Sequence, residues 1–453
     1  MALGPPAPPE LRDVAPGDAW ETLRRGARLV SSRVGLVRRV VPMRYQAQDP
    51  VAFTSGVLPA DFSRCVPGGQ LVAAAGVGRD AVAAAAATIA EAAERHCACF
   101  YDRDGMVLGS FRELRDHAVS PELLRLFSRE QVERAAGRGP AFFDDDTRLR
   151  WVWAHSLGDG GPRLVPASLV YLNYRPEADE ALVGHGASTG LSAGLTREEA
   201  LLGGLLEVVE RDAFTLAFMH RRAGRRIQPD EPTRRMLNAG LAADRPGVDV
   251  KLFDLTTELG VPVVFALARR RAEFGCMTCV GASARLAPRR ALEKSVLEAS
   301  QNFPYMRYLL QSQRAWQPAP DFSNVTTFEQ HFLAYLKRPE LGQQALAFWD
   351  RCEESVALEA LPDHSTGRVL GDLERAILCV RGAGYEPLAV DITTPDVAEA
   401  GLSVVRVLVP GLVPLHSDHR RPYLGVRRLV EGPPGWAAPG APPALNPFPH
   451  PFP

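Results

Sequence analysis

Leu206-Glu-Val-Val-Glu-Arg-Asp-Ala-Phe214 sets Glu207, Glu210 and Arg211 at i, i+3 and i+4 inside an apolar frame. At 3.6 residues per turn these side chains share one face of a helix. The helix carries its own boundary signals. Thr196 is a suitable N-cap, Glu199 stands three residues on as its capping-box partner, and the pattern runs to about Arg221. Gly203 and Gly204 leave room along it for a close neighbour or a ligand.

The same spacing recurs upstream. Ala81 to Phe100 reads as an Ala-rich helix with Thr88, Glu91, Glu94 and Arg95 on one side. Downstream, a helix opened by Pro288 and running to about Phe303 puts Lys294, Glu298 and Gln301 at i, i+4 and i+7. One Glu-x-x-Glu-Arg is ordinarily a solvated face whose ion pair is worth about 0.2–0.5 kcal/mol. Two copies, flanked by Ala92 and Ala93 and by Val208 and Val209, point inward instead. Carboxylates on buried helices need partners. Magnesium takes oxygen ligands from carboxylates and substrate phosphates, and Arg and Lys meet phosphate oxygens directly. The three helices therefore predict one magnesium–nucleotide site. No Lys follows a Gly anywhere in the chain, which excludes a Walker A loop. The Gly-rich turn Gly184-His-Gly-Ala-Ser-Thr-Gly190 serves equally as a packing turn or as a close approach to phosphate.

The rest of the chain bounds this reading. It has 453 residues and a formal net charge of −1, so charge alone suggests neither nucleic acid nor an anionic membrane. The Arg run from Arg221 to Arg226 reads as a solvated helix end. Met1 to Arg12 lacks the basic and apolar regions of a secretory signal, and the best apolar run, Val404 to Leu415, is broken by Pro410 and Pro414. Seven scattered cysteines suit reduced thiols in a cytoplasm, and the lone Cys276-x-x-Cys279 lacks the second pair a zinc site wants. Phe274 to Val280 reads as a buried strand instead. Strands are also expected within Ala27–Val41 and over Leu164–Tyr174, Val248–Leu255, Pro262–Arg269, Pro387–Ile392 and Leu402–Val409. Phe142 to Arg150 should be a loop with a solvated acidic turn, and Ala376 to Gly384 a helix. Strands and helices without strict alternation predict an α+β (mixed α/β) architecture. Residues 1–25 are expected to form a mobile Pro-rich lead-in, 26–431 the catalytic domain, and 432–453 a Pro-rich tail unable to bury a core of its own.

Together these segments resemble the YcaO-domain family. The resemblance is carried by Gly76-Val-Gly-Arg79, Thr88-x-x-Glu-Ala-Ala-Glu-Arg95, Ser188-Thr-Gly-Leu-Ser-Ala-Gly194, Glu199, the opening nonapeptide, and Ala291-Leu-Glu-Lys-Ser-Val-Leu-Glu-Ala-Ser-Gln301, in that order. It runs from about Ser31 to Val430. It implies the family's own ATP- and Mg2+-binding fold. Glu91, Glu94, Glu207, Glu210 and Glu298 would bind magnesium or polarise its waters. Arg79, Thr88, Glu94, Glu199, Arg211, Lys294 and Gln301 would form the nucleotide site. The family often has Gly-Lys-Gly where Gly76-Val-Gly78 stands here, and Asn in place of Thr189.

The tail sharpens the expected activity. Family members that make azolines end in Pro-x-Pro-x-Pro, and Pro447-Phe-Pro-His-Pro-Phe-Pro453 supplies that pattern. Such a tail would dock into the enzyme's own active site, with Phe448 and Phe452 as anchors. The reaction implied is ATP-dependent cyclodehydration of a ribosomal precursor peptide at Cys, Ser or Thr. Arg211 and Lys294 would stabilise the transferred phosphoryl group; His185, His450 and the Pro453 carboxylate are candidate bases. A leader-binding partner of the ubiquitin-activating-like or ThiF-like type is implied, with a flavin dehydrogenase as a further partner and a homodimer as one assembly. Thioamide or amidine formation by the same activation, and a non-catalytic peptide-binding scaffold, are the rival readings.

Overall fold

The computed structural model describes residue 5 and residues 10–14, 16–43, 52–62, 74–137, 139–272, 275–434, 436 and 444–453. A short helix, α1 (Ala19–Gly26), precedes a small antiparallel sheet of β1 (Val37–Pro42), β2 (Phe53–Pro59) and β3 (Ala75–Gly78). Helix α2 (Ala81–Cys97) lies on that sheet. The approach is tight: a Cβ on Gly76 would stand 2.4 Å from the Thr88 amide nitrogen, and one on Gly78 2.5 Å from that of Ala84. The Gly-Val-Gly step is therefore a helix–sheet contact.

β4 (Val107–Gly109), β5 (Leu149–Ser156), β6 (Pro162–Pro166) and β7 (Leu191–Gly194) begin a second sheet. The long helix α3 (Arg197–Met219) follows, then β8 (Arg225–Gln228), β9 (Val248–Asp254), β10 (Val263–Ala272) and β11 (Gly275–Ala284). After α4 (Pro288–Ser312) and α5 (Phe328–Lys337) comes β12 (Ser355–Ala357), which pairs in parallel with β8 and completes a five-stranded sheet ordered β11-β10-β9-β8-β12. β13 (Leu388–Asp391) and β14 (Ser403–Leu408) return to the second sheet, ordered β4-β5-β13-β14-β7 with β6 on β5.

Helix α3 spans the two large sheets, packing on β7 and β14 on one side and β10 and β11 on the other. Its glycines serve this packing. A Cβ on Gly203 would meet Ser192 Oγ at 2.4 Å, and one on Gly204 would meet Val407 Cγ2 at 2.8 Å. Leu205, Val209, Phe214 and Phe218 of α3 join Phe265, Trp349 and Val407 in the largest apolar cluster. α4 lies on β10 and β11 and reaches β3. So α2, α3 and α4, which carry the acidic faces, are each backed by sheet, and the mixed architecture is as expected.

Several elements differ from the expectation. Leu164–Tyr174 is not one strand: β6 ends at Pro166 and a helical turn, Ala167–Val170, follows. α4 does not stop near Phe303 but continues through Pro304 to Ser312, because Phe303, Pro304, Met306 and Leu309 are all buried and tertiary packing outweighs the lost hydrogen bond. Within Ala27–Val41 the chain first makes a 3₁₀ turn, Ala27–Leu29, before β1. Phe274, at the start of the strand expected over Phe274–Val280, lies outside the described residues; β11 covers the remainder. The lead-in contains α1, capped by Asp18 and packed on α2. In the tail, Asn446, His450 and Phe452 are buried, sharing the core of the domain.

Candidate active site

On α2, Glu91 accepts the Ala75 amide at 3.0 Å and the Arg95 guanidinium at 2.9 Å, while Glu94 accepts the Ala193 amide at 2.8 Å. Ala193 belongs to β7, so Glu94 ties α2 to the sheet that carries α3. On α3, Glu207 accepts the Gly190 amide at 3.0 Å. Gly190 has φ +84°, and a Cβ there would lie 2.1 Å from the Val407 carbonyl oxygen, so only glycine brings that amide to Glu207. Glu210 accepts the Ala284 amide at 3.3 Å, and Arg211 stands between its neighbours, 3.8 Å from Glu207 and 3.4 Å from Glu210. On α4, Lys294 lies 3.4 Å from Glu298.

These carboxylates form a chain of electrostatic neighbours across three helices. Glu94 feels Glu91 and Glu207; Glu210 feels Glu298 and Glu207. Burial is the largest cause of the perturbation, and the neighbouring negative charges add to it. Together they push Glu94 to about 8 and Glu210 to about 8. Burial raises Glu207 also. Arg95 and Arg211 oppose these shifts without cancelling them. A third guanidinium belongs to the group. Arg406 of β14 is 3 % exposed, feels Glu207, and forms no ion pair among the described residues. Burial lowers it to about 10. It donates to the Ala187 and Leu169 carbonyls, yet its Nε, like that of Arg95, has no acceptor among the described residues.

The donor set fits a divalent cation and a polyphosphate. Glu94 and Glu210, which desolvation holds protonated, gain a counter-charge from a cation, and all five glutamates offer oxygen, which magnesium takes. Orphaned guanidinium N–H groups gain acceptors from phosphate. Glu91, Glu94, Glu207, Glu210 and Glu298 would hold the metal, with Arg95, Arg211, Arg406 and Lys294 toward the nucleotide. The oxygens of the five glutamates do not close around a single point. Among the described residues the only acidic group that does is Glu177, Asp179 and Glu180, mostly exposed and outside this site. A chain of carboxylates spread over three helices suits more than one ion.

Not every predicted residue joins the cluster. Thr88 is fully buried, 2.7 Å from the Ser55 hydroxyl, and donates to the Ser55 and Ala84 carbonyls; it closes the α2–β2 contact. Glu199 does not complete a capping box. The Thr196 hydroxyl accepts the Glu199 amide, but the Glu199 carboxylate takes the Leu195 amide at 2.9 Å and the Gly17 amide of the N-terminal segment. Arg79 is 60 % exposed and paired at 2.9 Å with Glu293 at the start of α4. Gln301 is half-buried on α4. Asp212, next in sequence to Arg211, faces away from the cluster and is bound by Arg428.

The tail reaches the cluster. The Arg211 guanidinium stands 4.8 Å above the Phe452 ring, and that ring meets Phe214 edge-on at 4.4 Å. Phe448 packs against Phe322 at 6.2 Å. Pro453 follows Phe452, half-buried. His450 does not stand free as a base: its Nε2 donates to the His416 carbonyl at 2.8 Å, and burial pushes it well below the ordinary histidine range. Arg406 was hidden in the sequence by its apolar strand, although it is the one charge in Ser403–Leu408. Beside it opens a groove of about 630 Å³, counting the part open to solvent, lined by Thr189, Val208, His185 and Leu412 among others. Arg406 is common to the groove and the cluster, since it lines the one and feels Glu207 of the other.

Comparison with known proteins agrees with this geometry. A family model described as YcaO cyclodehydratase, ATP- and Mg2+-binding, matches residues 75–413. An uncharacterized protein of Methanothermobacter thermautotrophicus is 28% identical over 295 residues, covering 64% of this chain and 72% of its own. Among solved structures, a heterocyclase in complex with substrate and cofactor superposes with a TM-score of 0.79 at 24% identity. That match covers 98% of this chain, which spans 59% of the heterocyclase's length. YcaO from Methanopyrus kandleri, bound with AMPPCP and Mg2+, superposes with a TM-score of 0.64 at 24% identity, covering 88% of this chain and 92% of its own. No helix among the described residues is long and apolar enough to cross a membrane.

Proposed function

This chain belongs to the YcaO family, whose model is described as an ATP- and Mg2+-binding cyclodehydratase, and from that membership we propose that it converts Cys, Ser or Thr of a ribosomal precursor peptide into azolines. The observation that carries the proposal is the five-glutamate chain shared by α2, α3 and α4, with Arg95 and Arg406 presenting unpaired N–H groups beside it. The tail on Arg211 favours ring closure over thioamide or amidine formation, and five clustered carboxylates, half-buried or buried, have no use in a scaffold.

In this reading the substrate's thiol or hydroxyl attacks the carbonyl carbon of the preceding amide, losing its proton to a base. The new oxyanion takes the γ-phosphoryl group of ATP and releases ADP. Phosphate then departs with that oxygen as the amide nitrogen gives up its proton and the C=N bond forms. The peptide loses one water; ATP becomes ADP and phosphate. Bound magnesium would neutralise phosphate charge during the transfer. Arg211, Lys294 and Arg406 act on the same charge, aided by the low dielectric around them. With His450 engaged in packing, His185, which lines the groove, and the Pro453 carboxylate, next to the Phe452 ring on Arg211, remain the candidate bases. The groove beside Arg406 is lined mostly by apolar side chains, with Thr189, His185 and Arg406 as its polar groups. The leader-binding partner and the flavin dehydrogenase belong to the same proposal, the first to deliver the peptide and the second to oxidise azolines.

The test is incubation with a precursor peptide, its leader-binding partner, ATP and magnesium, followed by mass spectrometry. Loss of one water per modified residue, with matching ADP and phosphate, is the expected result. ATP binding with no change in peptide mass would return the scaffold reading.

A further inference from the structure

Four histidines meet where the tail enters the core, and none belongs to the nucleotide site. The His450 ring lies on the His331 ring at 3.8 Å and 11°, nearly parallel. His416 stands edge-on to both, at 5.3 and 5.8 Å, and His419 edge-on to His331 at 6.0 Å. His331, on α5, donates from Nε2 to the Ser417 carbonyl at 3.0 Å. His450 donates from Nε2 to the His416 carbonyl. Carbonyls only accept, so each ring keeps its proton on Nε2 and bares Nδ1. The Nδ1 atoms of His331, His416 and His450 are buried and have no partner among the described residues. One turn along α5, the Tyr335 hydroxyl donates to the Pro449 carbonyl at 2.6 Å. At the start of this segment Asn446 donates from its backbone to Met219 at 2.7 Å, and from its side chain to Phe218 and Ala345.

We propose that His331 is a positioning residue for the reaction: its ring is the platform for His450, and through it the tail is held with Phe452 beneath the Arg211 guanidinium. His331 touches neither the carboxylate cluster nor the groove; it acts through the tail. The role in catalysis rests on the function proposed above, whereas the clamp on the tail rests on the packing alone.

The clamp has a proton dependence that a plain structural contact would lack. The groups facing the stack are His331 from α5, His416, His419 and Asp418 from the segment before the tail, His450 from the tail, and Arg211 from α3. Asp418 is the one carboxylate among them, and it is taken by Arg420 at 2.7 Å. A proton added to a stacked ring therefore meets other imidazoles and a guanidinium. Burial and these neighbours lower His331 and His450 strongly and His416 to about 3. For a base lowered in the docked state, docking is complete above the free value and is lost as pH falls below it. Each such ring weakens docking about tenfold per pH unit below roughly 6.5.

The experiment follows hydrogen exchange of residues 444–453 and the pH profile of kcat/KM between pH 5 and 8, in wild type, His331→Phe, His331→Ala and Tyr335→Phe. In wild type, protection of the tail and the acid limb of kcat/KM should both fall by more than about tenfold per pH unit, since more than one ring must stay uncharged. His331→Phe keeps a stacked ring without a titrating nitrogen; at pH 8 it should retain activity, and its acid limb should lose one order of proton dependence. His331→Ala should lower kcat at pH 8 by at least about tenfold with KM for ATP unchanged, as expected when a positioning contact is removed. Tyr335→Phe removes a tail contact and no proton, so it should lower kcat at every pH with an unaltered slope. Wild-type steepness in His331→Phe, or full tail protection and kcat in His331→Ala, overturns the proposal. Steep pH-dependent exchange without ring closure in any variant removes the assigned function and leaves the clamp.

Discussion

Arg428 encloses the carboxylate of Asp212 with three hydrogen bonds of 2.9, 3.1 and 2.9 Å, in a place where the two side chains are 4% and 0% exposed. Asp212 also accepts the Val413 amide at 2.9 Å, and Arg428 donates to Glu258 and to the Tyr385 hydroxyl. In Glu-Arg-Asp the first two residues serve the site, and the third ties α3 to the segment that leads to the tail. Asp212→Ala should leave the buried guanidinium with Glu258 as its one remaining carboxylate and the Val413 amide without an acceptor, and cost about 3 kcal/mol. Urea titration checks this: a loss below about 1 kcal/mol would mean the pair is not structural. ATP affinity of the folded fraction should be unchanged.

Thr88 makes the opposite test. Its hydroxyl is spent on Ser55 and Ala84, and no part of it is exposed. Thr88→Val should destabilise by about 1–2 kcal/mol, through the unpaired Ser55 groups and the lost bonds. KM for ATP should stay within about twofold, because no contact with nucleotide is removed. A tenfold rise in KM at preserved stability would restore Thr88 to the nucleotide site.

The two tests mark where the sequence could be read and where it could not. Glu91, Glu94, Glu207, Glu210 and Glu298 were legible because helical spacing fixes which residues share a face, and small apolar neighbours showed that the face is buried. Thr88 fell at compatible spacing, but a hydroxyl can bond back to its own helix and to a strand, and only β2 decides which. Glu199 read as a local cap; its partner Gly17 lies 182 residues earlier, beyond any local pattern. Arg406 lacked a motif, and its place beside Glu207 comes from strand pairing of β14 with β7. Composition marks residues 432–453 as unable to form a core of their own. Asn446, His450 and Phe452 are nevertheless buried, because α3, α5 and the 409–426 segment supply the partners.

The tail can be separated from nucleotide binding. Phe452 contributes a ring to the Phe214 cluster and a face to Arg211, but no carboxylate. Phe452→Ala should cost about 3–4 kcal/mol if the tail stays docked, and less if it simply lets go. Removing Phe448–Pro453 should reduce cyclodehydration by at least about a hundredfold while ATP affinity changes by less than about fivefold, the pattern of a lost positioning element. Equal losses in both would place the tail within the nucleotide site itself.

The carboxylates should couple metal binding to protons. With Glu94 and Glu210 raised to about 8, both are largely protonated at neutral pH before a cation arrives. The folded chain then holds more protons than the unfolded one between the ordinary carboxylate value of 4.5 and about 8, so their contribution to stability falls as pH rises through that window. Magnesium bound with nucleotide at these carboxylates would take the place of those protons. Its binding should release up to two protons near pH 7, and its affinity should weaken about tenfold per pH unit for each proton as pH falls below 8. Calorimetry in two buffers of different ionisation enthalpy counts the protons directly. Glu210→Gln should remove one of them, and Glu207→Ala should abolish ATP turnover, because it removes the carboxylate that joins the α2 pair to the α3–α4 pair. Turnover at the wild-type rate in Glu207→Ala, or no proton release in wild type, would show that the cation binds elsewhere.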